Sequence, residues 1–252
     1  MTRKRNNSQT KVSTKRNRKQ VVDNRWEKKA EKGREVKEVY IKPPVEPKNQ
    51  VQAEFLYELN HKACAVMMAP AGTGKSYLAM SEATDWLKKG DFDKIVLTRP
   101  AVGMGNSLGM LKGGLREKYE PYLLPLVDVI VSRYGKGFYE SSLSNGTIEM
   151  LPLEYVRGRS IKDIVVVEEF QNCNPEEAYT MLTRIAEGGV LILIGDATQT
   201  DLRGETGIEW LINFVNRHEE LREFVGIVEG TSDDIVRGGL CKAIVKAREK
   251  EM

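Results

Sequence analysis

Residues 69–76 read Ala-Pro-Ala-Gly-Thr-Gly-Lys-Ser, directly after an apolar run at 63–68 and directly before a helix-like stretch at 77–87. No other feature constrains the fold as strongly, because a strand, a glycine loop and a helix in that order build a cradle for phosphate. Gly72 and Gly74 can take backbone angles closed to other residues, so consecutive N–H groups turn inward around an anion at the start of a helix. Lys75 brings a positive charge that reaches terminal phosphates, and the hydroxyl of Ser76 is the usual ligand for Mg2+. The candidate nucleotide-binding residues are therefore Ala69, Pro70, Ala71, Gly72, Thr73, Gly74, Lys75, Ser76 and Tyr77. The general pattern opens on glycine where this chain has Ala69, and a methyl group is tolerated there if φ is negative. The competing reading, a turn that merely reverses the chain, is disfavoured by the flanking strand and helix signals.

A phosphate loop alone does not define a reaction, so the other parts of a phosphoryl-transfer site must lie downstream. The β-branched run at 164–167 has the character of a buried parallel strand and ends in Glu168-Glu169. At the mouth of such a strand Glu168 is the candidate metal ligand, with Ser76, and Glu169 the candidate for positioning an attacking water. The first acid of such a pair is ordinarily aspartate. The extra methylene of Glu168 moves the carboxylate outward, so metal binding is expected to be weaker or differently solvated. A third apolar run at 190–194 ends in Gly195-Asp196-Ala197-Thr198-Gln199, and Asp196 and Gln199 are expected beside the γ-phosphate. The catalytic candidates are Lys75, Glu169, Gln199 and Asp196.

These three motifs in this order resemble the ATPase core of superfamily 1 helicases and, more closely, the PhoH family of phosphate-starvation ATPases. The resemblance extends to Leu97-Thr98-Arg99-Pro100-Ala101-Val102, Gly109 with Leu111, Glu117-Lys118 before Pro121-Tyr122, and Leu153 with Arg157-Gly158-Arg159. It continues through Leu182-Thr183-Arg184 and Gln199-Thr200-Asp201-Leu202, so it spans residues 47–247. Ala69, Glu168 and Phe170 depart from the family pattern. The resemblance implies an α/β fold: a single RecA-like P-loop NTPase domain with a mostly parallel central sheet. It implies ATP and Mg2+ as cofactors, ATP hydrolysis, action on single-stranded RNA or DNA, and a homo-oligomeric ring, commonly of six subunits. It also suggests Gln52 as the amide that reads adenine, with Gln50 a nearby competitor and an ordinary polar helix start a third reading.

At 252 residues, the chain can bury one substantial α/β core but not two RecA-like domains. A second face for the nucleotide would have to come from a neighbouring subunit, for which Arg99, Arg157, Arg159, Arg184 and Arg237 are the candidate arginine fingers. Each of these is also an ordinary surface residue type.

The formal net charge of +3 conceals an asymmetry. The first twenty residues carry eight Lys and Arg and no acid, leaving −5 for the remainder. With almost no apolar residues, this segment is expected to be a disordered basic arm, able to bind phosphates of nucleic acid in a salt-sensitive way or only to aid solubility. Mixed charge around Trp26 suggests an exposed helix, and the prolines at 43, 44 and 47 a stiff linker. The expected domains are thus residues 1–46, arm and linker, and 47–252, the ATPase.

The glycine-rich stretch 101–114 reads as a loop, and 115–133 as an amphipathic helical excursion broken near Pro121 and Pro125, with Lys112, Arg116 and Lys118 able to touch a nucleic-acid backbone. Strands are expected at 147–151 and 224–228, and helices at 208–214 and 233–248, the latter interrupted at Gly238-Gly239 and capped by Thr231 to Asp234. Cys64, Cys173 and Cys241 are odd in number and scattered, which suits a reducing interior. His61 and His218 lack metal-ligand spacing. With neither a transmembrane-length apolar run nor a secretory segment, a cytoplasmic protein with no membrane partner is expected. Three functions compete: an ATPase remodelling single-stranded nucleic acid, a nucleic-acid-binding protein with a degenerate ATP site, and a small-molecule phosphotransferase.

Overall fold

The computed structural model describes residues 40–100, 119–156 and 158–251. The basic arm, Trp26, the glycine-rich stretch 101–114, Lys112, Arg116, Lys118 and Arg157 lie outside the described residues.

Six runs rich in β-branched and aliphatic residues form strands: β1 (Cys64–Met68), β2 (Ile95–Thr98), β3 (Ile148–Met150), β4 (Ile164–Val167), β5 (Val190–Gly195) and β6 (Val225–Glu229). All pairings are parallel, in the order β3-β2-β4-β5-β1-β6. Every residue of β1, β2, β4 and β5 is buried, as expected for a parallel sheet covered on both faces. Ala65, Met67, Ile95, Leu97, Ile164, Val166, Ile192 and Ile194 face one core with Phe55, Leu59, Leu78 and Ile130. These come from α1 (Gln50–His61), α2 (Lys75–Lys89) and α3 (Leu124–Tyr134), and α4 (Lys136–Ser144) adds Tyr139. The alternate residues Val66, Met68, Val96, Val165, Val167, Leu191 and Leu193 meet α5 (Leu153–Val156), α6 (Pro175–Thr183) and α7 (Gly207–Arg217) through Val156, Met181 and Leu211. The last helix is α8 (Gly239–Glu249). Each such aliphatic side chain contributes roughly 1.5–3 kcal/mol, whereas an exposed pair such as Lys136–Glu140 contributes about 0–1 kcal/mol, so the sheet layers decide the fold.

The helix ends follow local chemistry. Asn174 with Glu177 and Thr206 with Glu209 form capping boxes at α6 and α7, and α2 stops at Gly90 after Lys88 and Lys89. A buried cluster ties α2 to α3. Arg133 donates to both Asp85 oxygens at 2.6 and 2.5 Å and to the Pro43 carbonyl at 2.8 Å, while Tyr134 donates to Asp85 at 2.7 Å. The Lys42 N–H donates to Tyr134, so the proline-rich entry segment is held against α3.

The excursion after residue 115 is interrupted at its prolines as expected: a short 3-10 turn at Glu120–Leu123 carries Pro121, and Pro125 lies in the first turn of α3, where its missing N–H costs no hydrogen bond. One expectation is corrected. The segment after β6 is not one interrupted helix: the Thr231–Asp234 capping box closes a short turn at Ser232–Asp234, and Gly239 begins α8. Asp233 is paired with Lys246 at 2.5 Å, which holds its carboxyl below the usual range. Among the described residues, no helix is long and apolar enough to cross a membrane.

Candidate nucleotide-binding site

The register of the sheet brings the carboxyl ends of β1, β5, β4 and β2 to one edge: Met68 pairs with Gly195, and Val167 with Thr98. Beyond that edge the Ala69 N–H donates to the Gly195 carbonyl at 3.0 Å, and the Glu168 N–H to Thr98 at 2.9 Å. The glycine loop, the paired acids and the polar turn after β5 therefore share one crevice.

Gly72 and Gly74 have φ of +89° and +91°. Ala69 does not adopt positive φ, since Glu169 is the only non-glycine described residue that does, so the methyl is accommodated without backbone strain. Thr73 is fully buried and donates to the Pro70 carbonyl at 2.9 Å, fixing the loop from within. Among the described residues, no hydrogen bond uses the N–H of Gly72, Thr73, Gly74, Lys75 or Ser76. They stand as five donors at a helix start, the arrangement that accepts a polyanion. Lys75 folds back to 3.4 Å from the Pro70 carbonyl, and Tyr77 is 48% exposed on the first turn of α2.

Ser76 Oγ lies 3.1 and 3.3 Å from the two carboxylate oxygens of Glu168. The longer acid thus still reaches the serine. Hard oxygen donors side by side next to a phosphate cradle suit Mg2+. Burial pushes the Glu168 carboxyl up to about 7, a rise that Lys75, the Ser76 hydrogen bond and Arg99 oppose and the neighbouring Glu169 reinforces.

Glu169 has φ 57° and ψ 40°, a left-handed conformation that costs a non-glycine residue of order 1–3 kcal/mol and collects at functional sites. Its carboxylate accepts a 2.5 Å bond from Gln171 Nε2. Gln171, which sequence reasoning did not single out, is fully buried. Its Nε2 also lies 3.3 Å from the Gln199 carbonyl, and its Oε1 accepts from the Asp196 N–H at 3.0 Å. One amide therefore links the acid after β4 to the turn after β5. Gly195 makes room for it, since a Cβ there would fall 2.2 Å from Gln171 Oε1. The available signal was an amide two residues beyond the acid pair.

Asp196 does not present an open carboxylate. Its oxygens accept from the Thr198 N–H at 3.0 Å, the Thr198 hydroxyl at 2.7 Å and Gln199 Nε2 at 2.7 Å, so it caps the turn and orients Gln199. Gln52 is likewise engaged: Oε1 accepts from the Lys48 N–H at 2.8 Å, and Nε2 donates to the Thr73 carbonyl at 2.7 Å. Only 3% exposed, it supports the loop from behind, while Gln50 is exposed.

The arginines separate into two groups. Arg99 follows β2 in the crevice of its own chain, held by a bond to the Tyr122 carbonyl at 3.3 Å and by its ring, 5.4 Å away. Arg237 sits against its own glycine loop, its N–H 3.1 Å from the Gly72 carbonyl. Arg159 and Arg184 precede β4 and β5, at the opposite end of the sheet, with Arg159 paired to Glu149 at 2.9 Å and Arg184 exposed. Cys64 and Cys173 are buried and Cys241 is partly exposed, none of them in a disulfide. No cluster of metal-ligating His, Cys, Asp and Glu exists among the described residues.

A parallel sheet with a glycine loop after its β1 strand, a Ser–Glu oxygen pair and a second acid at the end of β4, with β5 between the two strands, defines a RecA-like P-loop NTPase domain. The chain belongs to the PhoH-like protein family, whose sequence profile matches residues 44–249. It is 37% identical over 205 residues to a PhoH-like protein of Bacillus subtilis, covering 81% of this chain and 64% of the relative. Over 208 residues it is 35% identical to Protein PhoH of Escherichia coli K12, covering 81% and 58%. The chain thus spans about three fifths of the length of these relatives. Among solved structures, the large terminase of a thermophilic bacteriophage aligns at a TM-score of 0.49 with 12% identity, over 81% of this chain and 50% of that one.

Proposed function

We propose that this domain binds ATP with Mg2+, hydrolyses it, and uses the cycle to act on single-stranded RNA or DNA as a homo-oligomer. The observation that carries the nucleotide reading is the approach of Ser76 to Glu168 beside five unbonded loop N–H groups. Ser76 and Glu168 would hold Mg2+, which when bound supplies charge neutralisation to the phosphates. The loop N–H groups and Lys75 bind the phosphate chain, with Lys75 leaving the Pro70 carbonyl to do so. Glu169 orients the attacking water, and Gln171 holds that carboxylate in place while joining it to Gln199, so a change at the γ-phosphate is felt on both strand ends. Arg159 and Arg184, remote from their own loop, are the described residues suited to reach a neighbour's nucleotide in a ring. The basic arm supplies the electrostatic case for nucleic acid.

The burial of Glu168, 6% exposed, favours a second reading, a nucleic-acid-binding protein with a weakly hydrolysing site: a carboxyl taken out of water resists the charged form that a metal needs. ATP turnover measured with and without single-stranded polynucleotide separates these. Stimulation by polymer supports the leading proposal, ATP binding without turnover between pH 6 and 9 the second, and phosphate transfer to a metabolite would replace both with a phosphotransferase.

A further inference from the structure

The segment that follows β6 lies across the outside of the glycine loop. The N–H groups of Val236 and Arg237 both donate to the Gly72 carbonyl, at 3.0 and 3.1 Å, and Cys241 Sγ is 3.7 Å from the Ala71 carbonyl. The fit is close enough that a methyl group at Gly72 would fall 2.9 Å from Arg237 Cβ, 3.1 Å from Cys241 Sγ and 3.2 Å from an Ile235 methyl. Those bonds fix the backbone of Arg237 against the residue at the apex of the cradle. Its side chain is exposed and makes no hydrogen bond or ion pair among the described residues. The nearest acids in sequence are already engaged, Asp233 by Lys246 and Asp234 by Thr231.

An unpaired guanidinium anchored at its root to a phosphate loop has one natural partner, the polyanion that the loop binds. We propose that Arg237 is a nucleotide contact in its own subunit, binding the phosphate chain of a nucleoside di- or triphosphate from the side opposite Lys75. This rests on the nucleotide-binding reading above and revises the expectation that Arg237 serves a neighbour. The backbone bonds of Val236 and Arg237 to Gly72 hold the root of this side chain beside its own loop, which places that loop's phosphates within its reach. Cys241, in the first turn of α8, also lies against the cradle.

The test is binding of a fluorescent ADP with Mg2+ to wild type, Arg237→Ala, Arg237→Lys and Lys75→Ala. Arg237→Ala is expected to weaken binding roughly ten- to a hundredfold, the range for losing a hydrogen bond to a charged group, and Arg237→Lys to recover part of the loss. Thermal unfolding without nucleotide should be unchanged, because the bonds to Gly72 come from the backbone. Equal affinity of Arg237→Ala and wild type would overturn the inference while leaving the nucleotide reading intact; failure of wild type to bind ADP at all would remove both. Mixing provides a second arm. Lys75→Ala subunits carry an intact Arg237 and Arg237→Ala subunits an intact loop, so recovered ATP turnover in the mixture would establish action in trans and refute the proposal, whereas no recovery is the result expected.

Discussion

Replacing Glu168 by Gln removes a charge from a nearly closed site and keeps the shape. In the folded chain burial holds the carboxyl at about 7, against an ordinary value of 4.5. The sign follows from linkage: a raised carboxyl is protonated at no cost at low pH, and its contribution is lost as pH climbs from 4.5 through 7, where the native state must carry a buried charge that the unfolded chain ionises freely. At about 1.36 kcal/mol per pH unit, wild type should lose on the order of 2–3 kcal/mol relative to Glu168→Gln between pH 5 and pH 8. For a domain of this size that is a widening of roughly 5–10 °C in the midpoint difference. Thermal or urea unfolding of both proteins without nucleotide or metal, at half-unit pH steps, reads it directly. A difference constant across that range would show that Glu168 is solvated in solution, against the burial described above.

Other substitutions test the supports. Gly195→Ala places a methyl 2.2 Å from Gln171 Oε1 and should cost about 2 kcal/mol, because the displaced amide leaves the Asp196 N–H buried without a partner. In a double-mutant cycle with Gln171→Ala the two losses should be clearly less than additive, and simple additivity would contradict the bridge. Gln171→Ala alone should preserve ADP binding and lower ATP turnover at least tenfold, checked by calorimetry beside a steady-state assay. Arg133→Ala should destabilise by about 3–5 kcal/mol, since it leaves Asp85 charged in a buried site; a loss under 1 kcal/mol in urea titration would mean that the cluster is hydrated.

The phosphate loop and the strands carrying the acids were legible because both signals are local. Glycines at fixed spacing flanked by apolar and helical stretches, and uninterrupted β-branched runs, mark a covered parallel sheet without reference to the rest of the chain. The strand at 95–98 was readable only as part of a family motif, and the helix at 136–144 not at all, its weak polar pattern being settled by packing of Tyr139 against the core. The site's second layer was also hidden. The position of Gln171 two residues beyond the acid pair hints at a role, but its bridge exists only once β4 and β5 are paired and Gly195 is opposite it. The capping role of Asp196 was hidden too, because only the three donors at 2.7–3.0 Å show that its carboxylate holds its own turn. Arg237 lies more than 160 residues from Gly72, so its place on the loop depends on β6 pairing beside β1.

The proposed hydrolysis requires the loop and the second acid to act on one triphosphate. The most direct measurement is Mg2+–ATP calorimetry paired with phosphate release on Glu169→Gln. The site described here gives affinity within about twofold of wild type and turnover lower by roughly 100-fold or more, the usual loss when a positioned base is removed. Hydrolysis at the wild-type rate, or loss of ATP binding in a variant whose fold is intact, would contradict it.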